Sequence, residues 1–296
     1  MHRLLAGTVI VLGSMVMAGG IEAAAASTPE SAPRSSAQQT TEPSRLSRRD
    51  ALAVAPAEAR VVLYGDSLAS EAGPYFRDAL AGAGVTDVKL STFGGTAICD
   101  WLDRMRTDAA LLRPTAVVVE FSGNALTPCM ADATGRSLVE TPDAFQQKYL
   151  GDAQQVLEIF AGTGTRVYFA GAPLTRRAAE DPDADPEWLN RVYASVVADT
   201  AHGRYVDSGR ATLRGNRWTA TLPCLPSEPC TGGVDGDGTP VNVVRAPDGG
   251  HFCPGAPDAS NGVTEECPVW SSGAYRYGNA MAAPIVRDLG VISAET

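Results

Sequence analysis

The chain has 296 residues, 44% of them hydrophobic and 20% charged, with 34 acidic against 24 basic side chains and a formal charge of -10. That apolar content supports a sizeable buried core and excludes a wholly disordered or fibrous chain. The acidic balance argues against a surface that grips nucleic acid phosphates.

In chain order, Met1-His2-Arg3 sets a positive charge ahead of an apolar run from Leu4 to about Gly19, and Ala24-Ala25-Ala26 supplies small residues for cleavage. Residues 1–26 read as a secretory signal peptide, short and Gly-interrupted for a bilayer span. No later apolar run is long enough to cross a membrane, so no stable insertion is expected once the signal is removed. Residues 27–58 are rich in Ser, Pro, Thr, Ala and Gln, which bury too little surface to offset ordering entropy, and read as a flexible leader. Residues 59–296 then suit one α/β domain.

Within that domain, Arg60 to Tyr64, Val85 to Ser91, Thr115 to Phe121, Thr165 to Ala170 and Arg204 to Val206 are predicted strands, several too continuously apolar for a one-sided sheet. Leu68 to Ala83, Asp100 to Leu112, Pro142 to Ala161 and Pro186 to His202 are predicted helices. Such alternation implies a parallel sheet covered on both faces, with chemistry at the carboxyl ends of its strands. From Ser208 to about Trp270 the pattern turns to Gly, Pro, Asp and Cys, and residues 208–270 read as a long disulfide-pinned loop region. Ser271 to Leu289 reads as a closing helix, kinked at Pro284.

All six Cys, at 99, 129, 224, 230, 253 and 267, follow the signal, and an even number in an oxidising compartment favours three disulfides. Six Cys allow 15 connectivities. Loop closure favours Cys224 with Cys230 and Cys253 with Cys267 as local staples, leaving Cys99 and Cys129 to join two loops. No spacing is C-x-x-C, which argues against a zinc site.

Four segments carry candidate chemistry. The first strand ends in Gly65-Asp66-Ser67-Leu68, where a Ser at a strand-to-helix turn either caps the helix or exposes its Oγ as a nucleophile. Ala69 breaks the G-x-S-x-G elbow. The second strand runs into Phe93-Gly94-Gly95-Thr96 and the third into Phe121-Ser122-Gly123-Asn124; a Gly N–H and an Asn amide are donors suited to an oxyanion, although both segments also read as plain turns. Asp248-Gly249-Gly250-His251 places two Gly between an acid and a base, so the carboxylate can fold back onto Nδ1 of the ring. His2 leaves with the signal and His202 lies near a helix end, which makes His251 the candidate base.

In this order the four segments resemble the blocks of the GDSL/SGNH hydrolase family, with Ser67 in GDSL, Gly95 in FGGTA, Asn124 in SGNA, His251 in DGGH and Asp248 three residues before the His. Ala125 stands where many members have Asp. The resemblance spans Val61 to Ile285 and implies a flavodoxin-like three-layer α/β/α sandwich with a mostly parallel sheet. It implies a serine esterase or lipase-like hydrolase in which Ser67 attacks an ester carbonyl, His251 moves the proton and Asp248 fixes the tautomer. Ser67, Gly95 and Asn124 would hold the oxyanion. No cofactor or metal is needed on that reading. The expected partner is a small-molecule or carbohydrate ester, acylated or acetylated, met by a monomer that is secreted or held in the cell envelope. An acyltransferase with a sugar alcohol acceptor would use the same serine intermediate. A catalytically idle carbohydrate-binding relative would have no need of Ser67, Asp248 and His251 together.

Three other features invite a role. Asp235-Gly236-Asp237-Gly238 begins like a calcium loop, but Ala246 stands where the bidentate Glu belongs, so a turn is expected. Arg176-Arg177 follows the fourth strand and reads either as surface charge or as an acid-recognising pair. Trp101 and Trp188 are candidates for a sugar or acyl site, with core packing the expectation for Trp101.

Overall fold

The computed structural model describes residues 52, 54–252 and 270–290. Five parallel strands, β1 (Arg60–Gly65), β2 (Asp87–Thr92), β3 (Ala116–Glu120), β4 (Arg166–Ala170) and β5 (Gly203–Val206), lie in the order β2-β1-β3-β4-β5. Strands β3 and β4 are buried along their whole length, and β1 everywhere except Arg60. Because side chains alternate across a strand, neighbouring apolar residues feed two separate cores. Val61, Leu63, Ala116, Val118 and Tyr168 pack under α1 (Ser67–Gly82) and α6 (Ser272–Asp288). Val62, Tyr64, Val117, Val119 and Phe169 pack under α2 (Leu102–Leu111), α3 (Pro142–Phe160) and α5 (Trp188–Val197).

The result is a three-layer α/β/α sandwich with flavodoxin-like strand order. In such a sheet the switch point lies between β1 and β3, and a crevice opens there at the carboxyl ends of the strands. Ser67 begins directly after β1 at that point.

Before β1, the Leu52 N–H bonds the Asp288 carbonyl at 2.7 Å, and Leu52 and Val54 lie against the first core. Composition alone places both residues in the leader; as apolar side chains they find a groove beside α6. A short helix missing from the expected elements, α4 (Arg176–Glu180), starts at Thr175, whose hydroxyl accepts the Ala178 N–H at 3.2 Å. The loop region contains a small antiparallel ribbon, β6 (Thr221–Pro223) with β7 (Val241–Val243). Strands of three residues are too short to show a period, which hides them in sequence. Between them Asp235 Oδ1 accepts the N–H groups of Asp237 and Thr239, so the Asp-Gly-Asp-Gly stretch folds as a turn around its own carboxylate.

Among the described residues two disulfides are formed, Cys99–Cys129 with Cα atoms 6.1 Å apart and Cys224–Cys230 at 5.6 Å. Cys253 and Cys267 lie outside the described residues. Helix α6 runs through Pro284 to Asp288. No helix among the described residues is long and apolar enough to cross a membrane.

Candidate active site

The turn after β1 is as tight as a strand-to-helix junction allows. A Cβ at Gly65 would sit 2.3 Å from Ala69 Cβ and 2.5 Å from the Glu120 carbonyl oxygen, so only glycine fits. The helix cap is Asp66, whose Oδ1 accepts the Leu68 N–H at 3.0 Å. Ser67 is thereby released from capping. Its Oγ lies 2.9 Å from Nε2 of His251, a residue 184 positions further on.

The turn carrying His251 is built around one carboxylate. Asp248 Oδ1 accepts the N–H groups of Gly250 at 2.9 Å and His251 at 3.0 Å, while Oδ2 lies 2.5 Å from His251 Nδ1. With Nδ1–H directed at Asp248, Nε2 becomes the acceptor for the Ser67 hydroxyl proton. Burial pushes the Asp248 carboxyl upward, but the imidazole and the two N–H groups outweigh it and hold the group below its ordinary value. For His251, burial pulls the ring down. The bond to Asp248 and the charges of Glu71, Asp248 and Asp66 more than offset this, so the ring titrates above an ordinary imidazole. Both side chains remain about half exposed, at 46% for His251 and 54% for Asp248.

Gly249 has φ +76°, in the left-handed region, and a Cβ there would lie 2.6 Å from Arg176 Cβ. The turn is tied to its surroundings by side chains. Arg176 donates from its backbone N–H to the Gly249 carbonyl at 3.0 Å and from Nη2 to the Pro247 carbonyl at 3.2 Å. Trp218 Nε1 donates to the Gly249 carbonyl at 3.0 Å, and Arg245 Nη1 to that of Gly250 at 3.3 Å. Arg176 therefore supports the His251 turn, a use that neither surface charge nor acid recognition anticipates.

Across Ser67 stand the loops that follow β2 and β3. A Cβ on Gly94 would be 3.6 Å from Ser67 Cβ, which puts the turn after β2 directly beside the serine, and Gly95 follows at φ +79°. After β3, Asn124 Nδ2 donates to Asp66 Oδ2 at 2.7 Å, together with the Ser122 N–H at 2.8 Å and its hydroxyl at 2.7 Å. The Asn124 carbonyl accepts the Tyr149 hydroxyl at 2.9 Å. An amide nitrogen carries two N–H donors, and Asp66 takes one. Asp66 thus caps α1 with one oxygen and orients the β3 loop with the other. Burial raises its carboxyl, an effect its donors oppose, and raises the neighbouring Glu120 well above the ordinary range.

The same two loops are tied by Cys99–Cys129 and by Asp100, whose Oδ2 accepts the Ala97 N–H at 2.8 Å and the Thr127 hydroxyl at 2.9 Å. Donor atoms of Cys99, Asp100 and Cys129 lie within 4.8 Å of one another, but the two sulfurs are bonded to each other and offer no thiolate to a metal. Trp101 packs edge-on to Tyr64 and donates from Nε1 to Thr96 Oγ1 at 3.0 Å. Trp188 belongs to an aromatic group with Phe145 and Tyr149. His202 Nε2 lies 3.1 Å from the Leu157 carbonyl oxygen, a structural contact.

Residues 60–256, from the first strand to beyond His251, match the model of one family, described as a protein of unknown function (DUF459). The chain belongs to DUF459. No curated protein matches its sequence. Among solved structures, this DUF459 chain is similar to a lipase/acylhydrolase from Enterococcus faecalis at 15% identity, over 80% of this chain and 99% of that one, with a TM-score of 0.46. An acetylxylan esterase from Geobacillus stearothermophilus is 10% identical over 81% and 97%, at 0.46. A GDSL-like lipase from Bacteroides thetaiotaomicron is 15% identical over 78% and 88%, at 0.45.

Proposed function

We propose that this DUF459 protein is an exported serine hydrolase of carboxylic esters. The observation that carries the reading is the unbroken relay from Ser67 Oγ to His251 Nε2 at 2.9 Å and from His251 Nδ1 to Asp248 Oδ2 at 2.5 Å. Ser67 Oγ attacks the ester carbonyl carbon while His251 Nε2 takes its proton. The tetrahedral oxyanion is met by the Ser67 N–H at the start of α1, the turn at Gly95 and the Asn124 amide. Collapse expels the alcohol, which receives the proton from His251. Water, deprotonated by the same nitrogen, then releases the acid and restores Ser67.

Phe93 and Leu126 are 68% and 81% exposed on the loops bearing Gly95 and Asn124, an apolar rim suited to the acyl half of the ester. The alcohol half is assigned to carbohydrate or lipid. Residues 1–26 are taken as the export signal and 27–58 as a leader, its end packed on the domain through Leu52 and Val54, to a domain from about 59 to 296, and the two disulfides fit an oxidising compartment. A fluorophosphonate probe should label the purified protein at Ser67, with labelling abolished in Ser67→Ala. Release of acid from aryl esters of increasing acyl length, set beside acetylated polysaccharide, assigns the acyl group. Absence of label on folded wild-type protein at Ser67 overturns the mechanism.

A further inference from the structure

Glu71 lies four residues after Ser67, one turn along the same face of α1. It is 5% exposed among Leu68, Ala69, Ala72 and Phe76, where an apolar side chain would be the ordinary choice. Its Oε2 accepts the backbone N–H of Phe252 at 2.8 Å. That N–H belongs to the peptide plane immediately after His251, and the other end of the plane is also held, because the His251 carbonyl accepts the Ala246 N–H at 2.8 Å. On the preceding side the His251 N–H is taken by Asp248. The backbone of His251 is therefore pinned before and after the residue, leaving only its side-chain torsions to set the ring. Phe252 itself is fully buried, with its ring 5.4 Å from that of Tyr277 and 4.9 Å from the Arg245 guanidinium.

We propose that Glu71 is a positioning residue for His251, holding the Phe252 N–H so that the ring meets Ser67. The inference rests on the Ser67–His251 reading above and adds a member that none of the four motif blocks contains. Among the described residues, the charged groups facing Glu71 are His251 and Asp248 from the turn, Asp66 from the start of α1, and Arg245 from the segment after β7. Burial pushes the Glu71 carboxyl up to about 7, against the pull of the Phe252 N–H and of the His251 charge. Its charge in turn raises His251. The sign follows: ionised Glu71 favours imidazolium, so it moves the onset of the free base, and with it the acid limb of activity, to higher pH.

Two substitutions separate the bond from the charge. Glu71→Gln keeps an oxygen for the Phe252 N–H and removes the charge, so kcat at the optimum should stay within about fivefold while the acid limb of kcat/KM moves to lower pH by about half a unit or more. Glu71→Leu removes both, and kcat should fall roughly 10- to 100-fold as the ring loses its placement. A kcat in Glu71→Gln that falls as far as the loss expected of Glu71→Leu overturns the inference, whether or not Glu71→Leu folds, and so does a folded Glu71→Leu with wild-type kcat. Failure of the fluorophosphonate to label wild-type Ser67 is a different result, which removes the nucleophile and this inference with it.

Discussion

Ser67, Gly95 and Asn124 follow three adjacent strands of one sheet, β1, β2 and β3, so their mutual spacing is set by strand register and by what lies under it. Asp248 and His251 ride an irregular stretch beyond the three-residue strand β7, fixed by bonds from Arg176, Trp218, Arg245 and Glu71. The first half of the site is continuous with the core. The second is attached to it by individual contacts. Damage to the first half should therefore cost stability along with activity, whereas damage at Asp248, half exposed, should cost activity alone.

Asp248→Asn gives the largest test of that contrast. Loss of the carboxylate removes the group that fixes the Nδ1–H tautomer, and kcat should fall about 10⁴-fold. The thermal midpoint should stay close to wild type; a large drop would show that the turn is part of the core after all. Asn124→Ala should lower kcat by about 10² to 10³ through loss of an oxyanion donor. It also strips one donor from the buried Asp66 carboxylate, and denaturant unfolding should report a cost of about 1–3 kcal/mol. If only activity changed, Asn124 would not be structurally tied to Asp66. A smaller loss than either is expected from opening Cys99–Cys129 by the paired change to Ser. This frees the loops beside Gly95 and Asn124, costs about 2–4 kcal/mol of stability, and should lower kcat roughly tenfold. The acid limb of the pH profile should not move, because His251 is untouched; a shifted limb would mean that the halves are coupled.

The same contrast governs what can be read from sequence. The central strands are legible because residues such as Val117 to Val119 and Tyr168-Phe169 are apolar at consecutive positions, the signature of a strand buried on both faces. Ser67 and Asn124 are legible because each follows such a strand, Gly95 because a Gly-Gly turn follows the edge strand β2, and His251 because His is scarce and Asp248 precedes it. The reach of one group to another is not. Asp66 is part of a recognisable tetrapeptide, yet its grip on Ser122 and Asn124 depends on β1 and β3 being neighbours. Arg176 and Trp218 meet at Gly249 only once the chain has folded. Glu71 left one trace, a carboxylate between Leu68 and Ala72 on the apolar face of α1. Charge on a buried face asks for a partner, and only the fold shows that it is the Phe252 N–H.

Tyr277 of α6 joins the covering helix to the centre of the sheet. Its hydroxyl donates to Glu120 Oε1 at 3.0 Å and lies 3.1 Å from the Gly171 carbonyl oxygen, beneath the ends of β3 and β4. Until α6 docks, the buried Glu120 carboxyl lacks its hydroxyl donor and α1, which carries both Ser67 and Glu71, lacks the helix that covers it. Loosening α6 would therefore uncover the helix that starts at Ser67 and strip a buried carboxyl of its donor in a single event.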